Sequence, residues 1–512
     1  MGRRLPASAT HTNRSPIPMS ALFRTATIRA LEHEGIDRLG GGVLMERAAD
    51  AVTEAAARSA RRLPRATPIV ALVGPGNNGG DALLAVSKLR ERGFPALALA
   101  LSDAEPAASD ARTVWQHWHA RGGAVGSLAE LPAWLDRRPL LLDGLFGIGL
   151  GRPLEGAAAE AVRMLDRTPQ CETIAIDVPS GIDADTGAVV GGPDAPAIRA
   201  DLTVTMIGDK PGLHTGAALD HAGAVLVAGL GLVHETAPDG ELFGRALAQR
   251  LLRPRARDSH KGSFGSVLVV GGAAGTAGAA LLAARGAQAA GAGKVFVAAP
   301  DGPVFDPGQP QLMTRAFDAG HEGIDAICIG CGLGRSAKAG DALERALRST
   351  LPLVLDADAL NLLADDAALA RLLATRAAPS VLTPHPLEAA RLLGTSSRAI
   401  QSDRIGHAVA LAAQTGATAL LKGAGSVLAL PDGRFSIIAA GSPALATAGT
   451  GDVLAGVIAA LLAQRMPAAD AARLGAWAHG SAGELWQHSH PSGAGLSAAE
   501  LPALVTTALA PA

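Results

Sequence analysis

Short, wholly apolar runs alternate along this chain with stretches whose apolar residues recur at helical spacing. Residues 24–62 place Ile28, Leu31, Ile36 and Leu39, then Leu44, Ala48, Val52 and Ala55, at such spacing on either side of Gly40-Gly41-Gly42, which predicts two helices. Strand-length apolar runs follow at 68–73, 94–101, 139–144, 173–177, 201–207 and 224–228, bounded by glycine, proline or aspartate. Strands alternating with helices predict a doubly wound, mostly parallel sheet. Between 233 and 258 the pattern lapses into Pro238-Asp239-Gly240 and a run rich in Arg250, Arg253, Arg255 and Arg257. A second series then begins, with strands at 266–272, 294–299, 326–330, 353–361, 379–383 and 418–422, an Ala-rich helix at 278–290, and an apolar helix after Asp452. The expected fold class is α/β in two domains, an N-terminal Rossmann-like doubly wound sheet over 21–232 and a second α/β domain over 259–512. Residues 233–258 are the expected linker, and 1–20 an extension without a fold.

Polar residues gather at the strand ends, where open α/β sheets bind ligands. In the first half these are Asn78 and Asp81 within Gly74-Pro75-Gly76-Asn77-Asn78-Gly79-Gly80-Asp81, expected as a loop before a helix at Ala82, then Asp143, Asp177 and Ser180. One such aspartate is ordinarily a turn former or helix cap; three in one half argue for a site. Their oxygens suit a hard cation, and Gly147 to Arg152 offers N–H groups and a guanidinium to a phosphate. Gly147, Gly149 and Gly151 alternate, which is not the dinucleotide fingerprint spacing.

In the second half, Ala446-Thr447-Ala448-Gly449-Thr450-Gly451-Asp452 leads straight into an apolar helix. Glycines allow close approach of a ligand and the first helical turn presents unpaired N–H groups, so this is a seat for an anion. An aspartate beside it is a candidate base for a substrate hydroxyl, and the pair suggests phosphoryl transfer. The competing reading is a tight turn with Asp452 as a helix cap.

Composition narrows the ligands. The 512 residues are 48% hydrophobic and 18% charged, with 62 glycines and no tyrosine, a globular α/β balance too long for one ordinary core. A formal net charge of −2 without a long basic run gives no footprint for nucleic acid or an anionic membrane. No apolar run reaches the roughly 18 residues of a membrane span, and the N-terminus lacks a signal-peptide core. Small-molecule ligands are expected, in a reducing cytoplasm, since Cys171, Cys328 and Cys331 are too few for a disulfide framework. Cys328 and Cys331 have CxxC spacing inside an apolar strand that runs into a glycine turn; small buried residues are the expectation, metal or redox use the alternative.

The motifs GPGNNGGD (74–81), LLDGLFGIGLGRP (141–153), AIDVPSGID (175–183), HKGSFG (260–265), TPHPLEAARLLG (383–394), LLKGAGS (420–426) and ATAGTGDVLAG (446–456) stand in order across the chain. Through them it resembles, from about residue 20 onward, the bifunctional NAD(P)H-hydrate repair enzymes, an epimerase domain fused to an ADP-dependent dehydratase of ribokinase-like fold. The resemblance implies that Asn77, Asn78, Gly79, Gly80, Asp81, Gly147, Ile148, Gly149, Leu150, Gly151, Arg152 and Pro153 hold the hydrated dinucleotide, with Asp177 acting at its nicotinamide end. It further implies potassium at Asn78, Asp143 and Ser180, contacts to the hydrated dinucleotide from Ala279, Gly334, His385 and Asp452, and ADP held by Lys422, Gly423, Ala424, Gly425, Ser426 and Gly451. Magnesium is expected with ADP, and a homo-oligomer is the expected assembly. The implied chemistry is interconversion of the R and S hydrates, with Asp177 as acid/base, and loss of water from the S form once ADP has phosphorylated the ring hydroxyl, with Asp452 as base. Four positions depart from the family pattern: Cys331 where proline is usual, Ser426 where threonine is common, Gly286 in place of alanine and Ala82 in place of glycine. Two other readings remain at this point: a ribokinase-like small-molecule kinase fused to a nucleotide-binding domain, and a first half that serves only for binding or assembly.

Overall fold

A computed structural model describes residues 20–168 and 171–510; the expected extension, apart from Ser20, lies outside them. The strand series folds into two sheets. The smaller is wholly parallel, in the spatial order Gly126–Ser127, Ala96–Ala100, Ile69–Val73, Leu140–Gly144, Thr173–Ile176, Leu202–Met206, Ala224–Ala228. Side chains alternate between its two faces as strand pleating requires. Ile69, Ala71 and Val73 pack with Val52, Ala56 and Val86 of the helices Val43–Ala60 and Asn77–Glu91, while Val70 and Leu72 pack with Leu131 and Ala161 on the other side. Because both faces are covered, the strands read as unbroken apolar runs.

The larger sheet runs Ala21–Leu22, Gly240–Phe243, Phe435–Ile438, Val427–Ala429, Thr418–Leu421, Ser380–Leu382, Leu353–Leu355, Ala326–Ile329, Ser266–Val270, Lys294–Ala298, Met313–Thr314. It is parallel from Thr418–Leu421 to Met313–Thr314, and an antiparallel hairpin, Val427–Ala429 with Phe435–Ile438, extends it. The stretch 233–258 is structured: Gly240–Phe243 joins this sheet beside Phe435–Ile438, and the helix Arg245–Leu251 follows. Ala21–Leu22 pairs with that same strand, so the first described residues complete the larger sheet.

In both sheets the chain reverses its direction of winding once. The switch points lie between Ile69–Val73 and Leu140–Gly144, and between Ser266–Val270 and Ala326–Ile329. A crevice opens at such a point beyond the carboxyl ends of the strands.

Two elements start where the pattern alone did not put them. The strand expected over 353–361 stops at Leu355, and a helix runs Asp358–Asp365 after Ala357 takes a left-handed φ of 49°. The expected glycine loop before Ala82 is already helix from Asn77, and within it a Cβ at Gly79 would lie 2.0 Å from Gly74 O. That glycine serves close packing of the first helical turn on its strand rather than a flexible loop.

The Gly286 departure has a packing cause. The helices Ala277–Ala289 and Thr450–Ala463 cross so closely that a Cβ at Gly286 would lie 2.3 Å from Val453 O and one at Gly456 1.8 Å from Ala283 O. Gly286→Ala is expected to cost about 1–3 kcal/mol by overpacking, read as a lower urea midpoint. An unchanged midpoint would mean that the helices can part freely.

Candidate active sites at the two switch points

The first crevice is a cavity of about 530 Å³ lined by Glu32, Asn77, Asn78, Asp81, Gly147, Ile148, Gly149, Leu150 and Asp177. Asp177 follows the strand Thr173–Ile176 with φ 68°, a left-handed conformation that side chains other than Gly, Asn and Asp seldom take. Its carboxylate accepts from the Met206 N–H at 3.1 Å and pairs at 2.8 Å with the ammonium of Lys210, whose side chain is wholly buried. Lys210 also donates to Thr205 Oγ1 at 2.7 Å, Met206 O at 3.0 Å and Gly208 O at 3.3 Å, so its charge is fully engaged. Burial, then repulsion from Asp177, Glu32 and Asp110, pushes the Asp81 carboxyl well above the usual range. The cavity therefore holds an ion-paired carboxylate, Asp177, beside one that keeps its proton more tightly, Asp81, and two carboxyls set apart in this way suit acid/base chemistry.

Beside them, Asp143 accepts from Ser180 N at 2.8 Å, Ser180 Oγ at 2.7 Å and Leu145 N at 3.2 Å, yet burial raises its pKa to about 6. Neither Oδ1 nor Nδ2 of Asn78 has a partner among the described residues, although both atoms are buried. A Cβ at Gly147 would lie 3.2 Å from Asp177 Oδ2 and 3.4 Å from Asn78 Oδ1, so only glycine leaves this corner open. Gly79 and Gly80 do not line the cavity: the first abuts Gly74 O, and a Cβ on the second would lie 2.8 Å from Met45 Cε. Gly151 and Arg152 are exposed and do not line it, and Pro153 packs on Gly191.

At the second switch point Asp452 sits in the first turn of Thr450–Ala463, behind Gly449 with φ 91°. Burial and then repulsion from Asp356 raise its pKa to about 6, opposed by a hydrogen bond from the Cys331 thiol and by Lys422. Lys422 Nζ donates to Asp356 Oδ1 at 2.7 Å, and a Cβ at Gly451 would lie 3.2 Å from that ammonium. Sγ of Cys331 and carboxylate oxygens of Asp356 and Asp452 all lie within 4.8 Å of one another. His479, pushed down to about 4 by burial, is neutral and bonds to Thr450 O at 2.9 Å through Nε2, bracing the helix start.

His385 caps the helix Pro386–Leu393, its Nδ1 accepting from the N–H groups of Leu387 and Glu388 at 3.1 and 3.3 Å. Burial and then Lys422 lower its pKa, and its Nε2 lies 3.3 Å from Glu388 Oε1. Gly334, with φ 76°, donates its N–H to Asp358 Oδ2 at 2.8 Å, and Ala279 is half-buried in the first turn of Ala277–Ala289.

Three participants carry no role in the sequence reading, Glu32, Lys210 and Asp356, and Cys331 carries only the metal or redox alternative. A lysine directly after an apolar strand was the one available signal for Lys210, and its partner lies 33 positions earlier. Cys328 and Cys331 are small buried residues as expected, but Cys331 in addition touches the base candidate.

Both crevices lie where doubly wound sheets receive nucleotides, and each holds buried carboxylates beside a lysine. The class so defined is a two-site α/β enzyme. Family models bear on each part: one described as NAD(P)H-hydrate dehydratase matches residues 267–503, and one described as YjeF-related protein N-terminus matches 41–212. The bifunctional NAD(P)H-hydrate repair enzyme Nnr of Moorella thermoacetica is 36% identical, over 89% of this chain and 92% of that one. Its namesake in Vibrio cholerae is 37% identical, over 80% and 83%. The chain belongs to the family of bifunctional NAD(P)H-hydrate repair enzymes. Among solved structures, an ADP/ATP-dependent NAD(P)H-hydrate dehydratase from Bacillus subtilis, co-crystallized with ATP/Mg2+, is 32% identical with a TM-score of 0.47, covering 52% of this chain and 96% of that one.

Proposed function

We propose that the chain repairs hydrated NADH and NADPH, epimerising the R and S hydrates over residues 21–232 and dehydrating the S form with ADP over 259–512. The observation that carries this is the half-buried Asp452 at a helix N-terminus, raised to about 6 and set beside Lys422 and the glycine turn. A hydroxyl on a hydrated nicotinamide ring is a poor leaving group. Asp452 takes its proton as the oxygen attacks the terminal phosphorus of ADP; the bond to AMP breaks and a phosphate ester forms. The ring nitrogen's lone pair then expels phosphate, and loss of a proton from the neighbouring carbon restores the dihydropyridine. Lys422 and the amides at 449–451 stabilise charge on the transferring group. Magnesium arrives with ADP as part of that substrate.

In the first crevice Asp177, held by Lys210, and Asp81, whose pKa burial raises, face the dinucleotide from one cavity and move protons at the carbon that bears the hydroxyl. Asn78, Asp143 and Ser180 suit potassium: all three offer side-chain oxygen, and the orphaned amide of Asn78 lacks any other partner. Bound there, the ion supplies fixed positive charge for phosphate oxygens. Replacing potassium by choline at equal ionic strength is expected to lower the melting temperature by roughly 2–4 °C, and Asn78→Ala to abolish the difference. Equal melting in both salts would exclude this site.

Among the described residues no helix is long and apolar enough to cross a membrane. The three free cysteines support a reducing, cytoplasmic setting, and the exposed edge strand Ala224–Ala228, with Leu226 and Val227 uncovered, supports self-association.

The test supplies both hydrate epimers with ADP, magnesium and potassium and follows absorbance of the restored dihydronicotinamide. Recovery of both epimers is the expected outcome. Recovery of one epimer alone, corrected for spontaneous exchange, removes the epimerase; a stable phosphate ester instead of dihydronicotinamide indicates the kinase reading.

A further inference from the structure

Arg404 opens the helix Arg404–Thr415 of the second half and is 1% exposed. No carboxylate pairs with it among the described residues. Its Nε donates to Thr215 Oγ1 at 3.1 Å, one guanidinium nitrogen donates to Gln401 Oε1 at 2.6 Å, and the other reaches Leu421 O at 3.3 Å and Lys422 O at 3.2 Å. Burying a guanidinium on neutral oxygens is costly, so what it holds is informative. Thr215 belongs to the first half and is wholly buried. Its hydroxyl donates to Gly425 O at 2.8 Å and Ala424 O at 3.2 Å, and the Gly216 N–H also donates to Ala424 O at 3.1 Å. Gly425, with φ 58°, is the residue this approach demands, since a Cβ there would lie 2.0 Å from His214 O.

Four of the five carbonyls from Leu421 to Gly425, all but that of Gly423, are thus held by Arg404, Thr215 and Gly216. In a planar trans peptide the following N–H points the opposite way. Drawing the carbonyls of Ala424 and Gly425 back turns the N–H groups of Gly425 and Ser426 outward, and neither has an acceptor among the described residues. Outward N–H groups on consecutive residues form a concave seat for an anion.

We propose that Thr215 and Arg404 are a positioning pair for the loop Lys422–Ser426, so that the grip of the dehydratase on the phosphates of ADP depends on a residue outside the dehydratase half. The inference rests on the assignment of that loop to ADP.

The full-length chain tests it with Thr215→Val, which keeps shape and loses the hydroxyl, Thr215→Ser, which restores it, Arg404→Lys and Lys422→Ala. Thr215→Val and Arg404→Lys are expected to raise KM for ADP about tenfold with KM for the S hydrate unchanged, and Thr215→Ser to stay within about twofold of the parent. A lower melting temperature with KM for ADP unchanged would reduce the pair to a structural tie and overturn the proposal. If Lys422→Ala also leaves KM for ADP unchanged, the assignment of the loop fails and the positioning role with it. Amide exchange on the unmodified protein needs no variant: ADP is expected to slow exchange at 214–217 together with 423–426. Protection of 423–426 alone overturns the pair, and protection of neither overturns the assignment.

Discussion

Asp452→Asn is expected to lower kcat for dehydration by about a thousandfold or more while leaving KM for the S hydrate within a few-fold of the parent, and to make the protein more stable. The amide keeps the size and hydrogen bonding of the carboxylate but cannot take the hydroxyl proton. Stability moves the other way because the folded pKa of Asp452, about 6, lies above its ordinary value of 3.8. An acid whose pKa is raised by folding is harder to ionise in the folded state, so its charge destabilises the fold at neutral pH. The shift corresponds to on the order of 3 kcal/mol, gained by the variant above about pH 6, shrinking as pH falls toward 4, and gone below the unfolded pKa. The same pKa sets activity: kcat/KM of the parent is expected to rise with pH through about 6 and level off above it. Urea unfolding of parent and variant at pH 5 and pH 8, beside steady-state rates, checks both. A variant that is inactive and also less stable would point to damage at the helix start instead of a missing base.

Asp177→Asn is expected to reduce consumption of the R hydrate to its spontaneous exchange rate while turnover of the S hydrate continues unchanged. Asparagine is the informative substitution here for two reasons. It tolerates the left-handed φ of 68° at this position, and its Oδ1 can still accept from Met206 N and Lys210 Nζ. Asp177→Ala, by contrast, leaves a wholly buried ammonium without its counter-charge, an error of about 3–5 kcal/mol that mixes lost chemistry with lost stability. Following the two epimers separately by chromatography decides the matter. R-hydrate consumption near the parent rate in Asp177→Asn would exclude Asp177 as acid/base.

The parallel strands were legible in the sequence because burial on both faces makes each one an unbroken apolar run, as at Ile69–Val73 and Ser266–Val270. The aspartates were legible because doubly wound sheets deliver strand ends to one crevice. Local pattern misplaced the role of Gly79 and Gly80, since a glycine needed for close packing inside a helix looks in sequence like one needed for a turn. It also passed over Lys210, Asp356 and Arg404, whose meaning lies in partners 33, 66 and 189 positions away. The hairpin of Val427–Ala429 and Phe435–Ile438 is short and extends a parallel sheet in the antiparallel sense, which the alternating β/α rhythm does not announce. Ala21–Leu22 has two residues and no periodicity at all; only its pairing with Gly240–Phe243 makes it a strand.

That last pairing imposes a timetable on synthesis. After Ala21–Leu22 leaves the ribosome, its neighbour Gly240–Phe243 follows more than two hundred residues later, and Phe435–Ile438, beside that neighbour, more than four hundred. At about 5–20 residues per second these intervals are roughly 10–40 s and 20–80 s. The seven-stranded sheet has all its strands by Ala228 and can close while the chain is still growing. The eleven-stranded sheet cannot, and throughout that wait Ala21–Leu22 has only its bridge from Leu22 to Asp209, within the first half, to hold it.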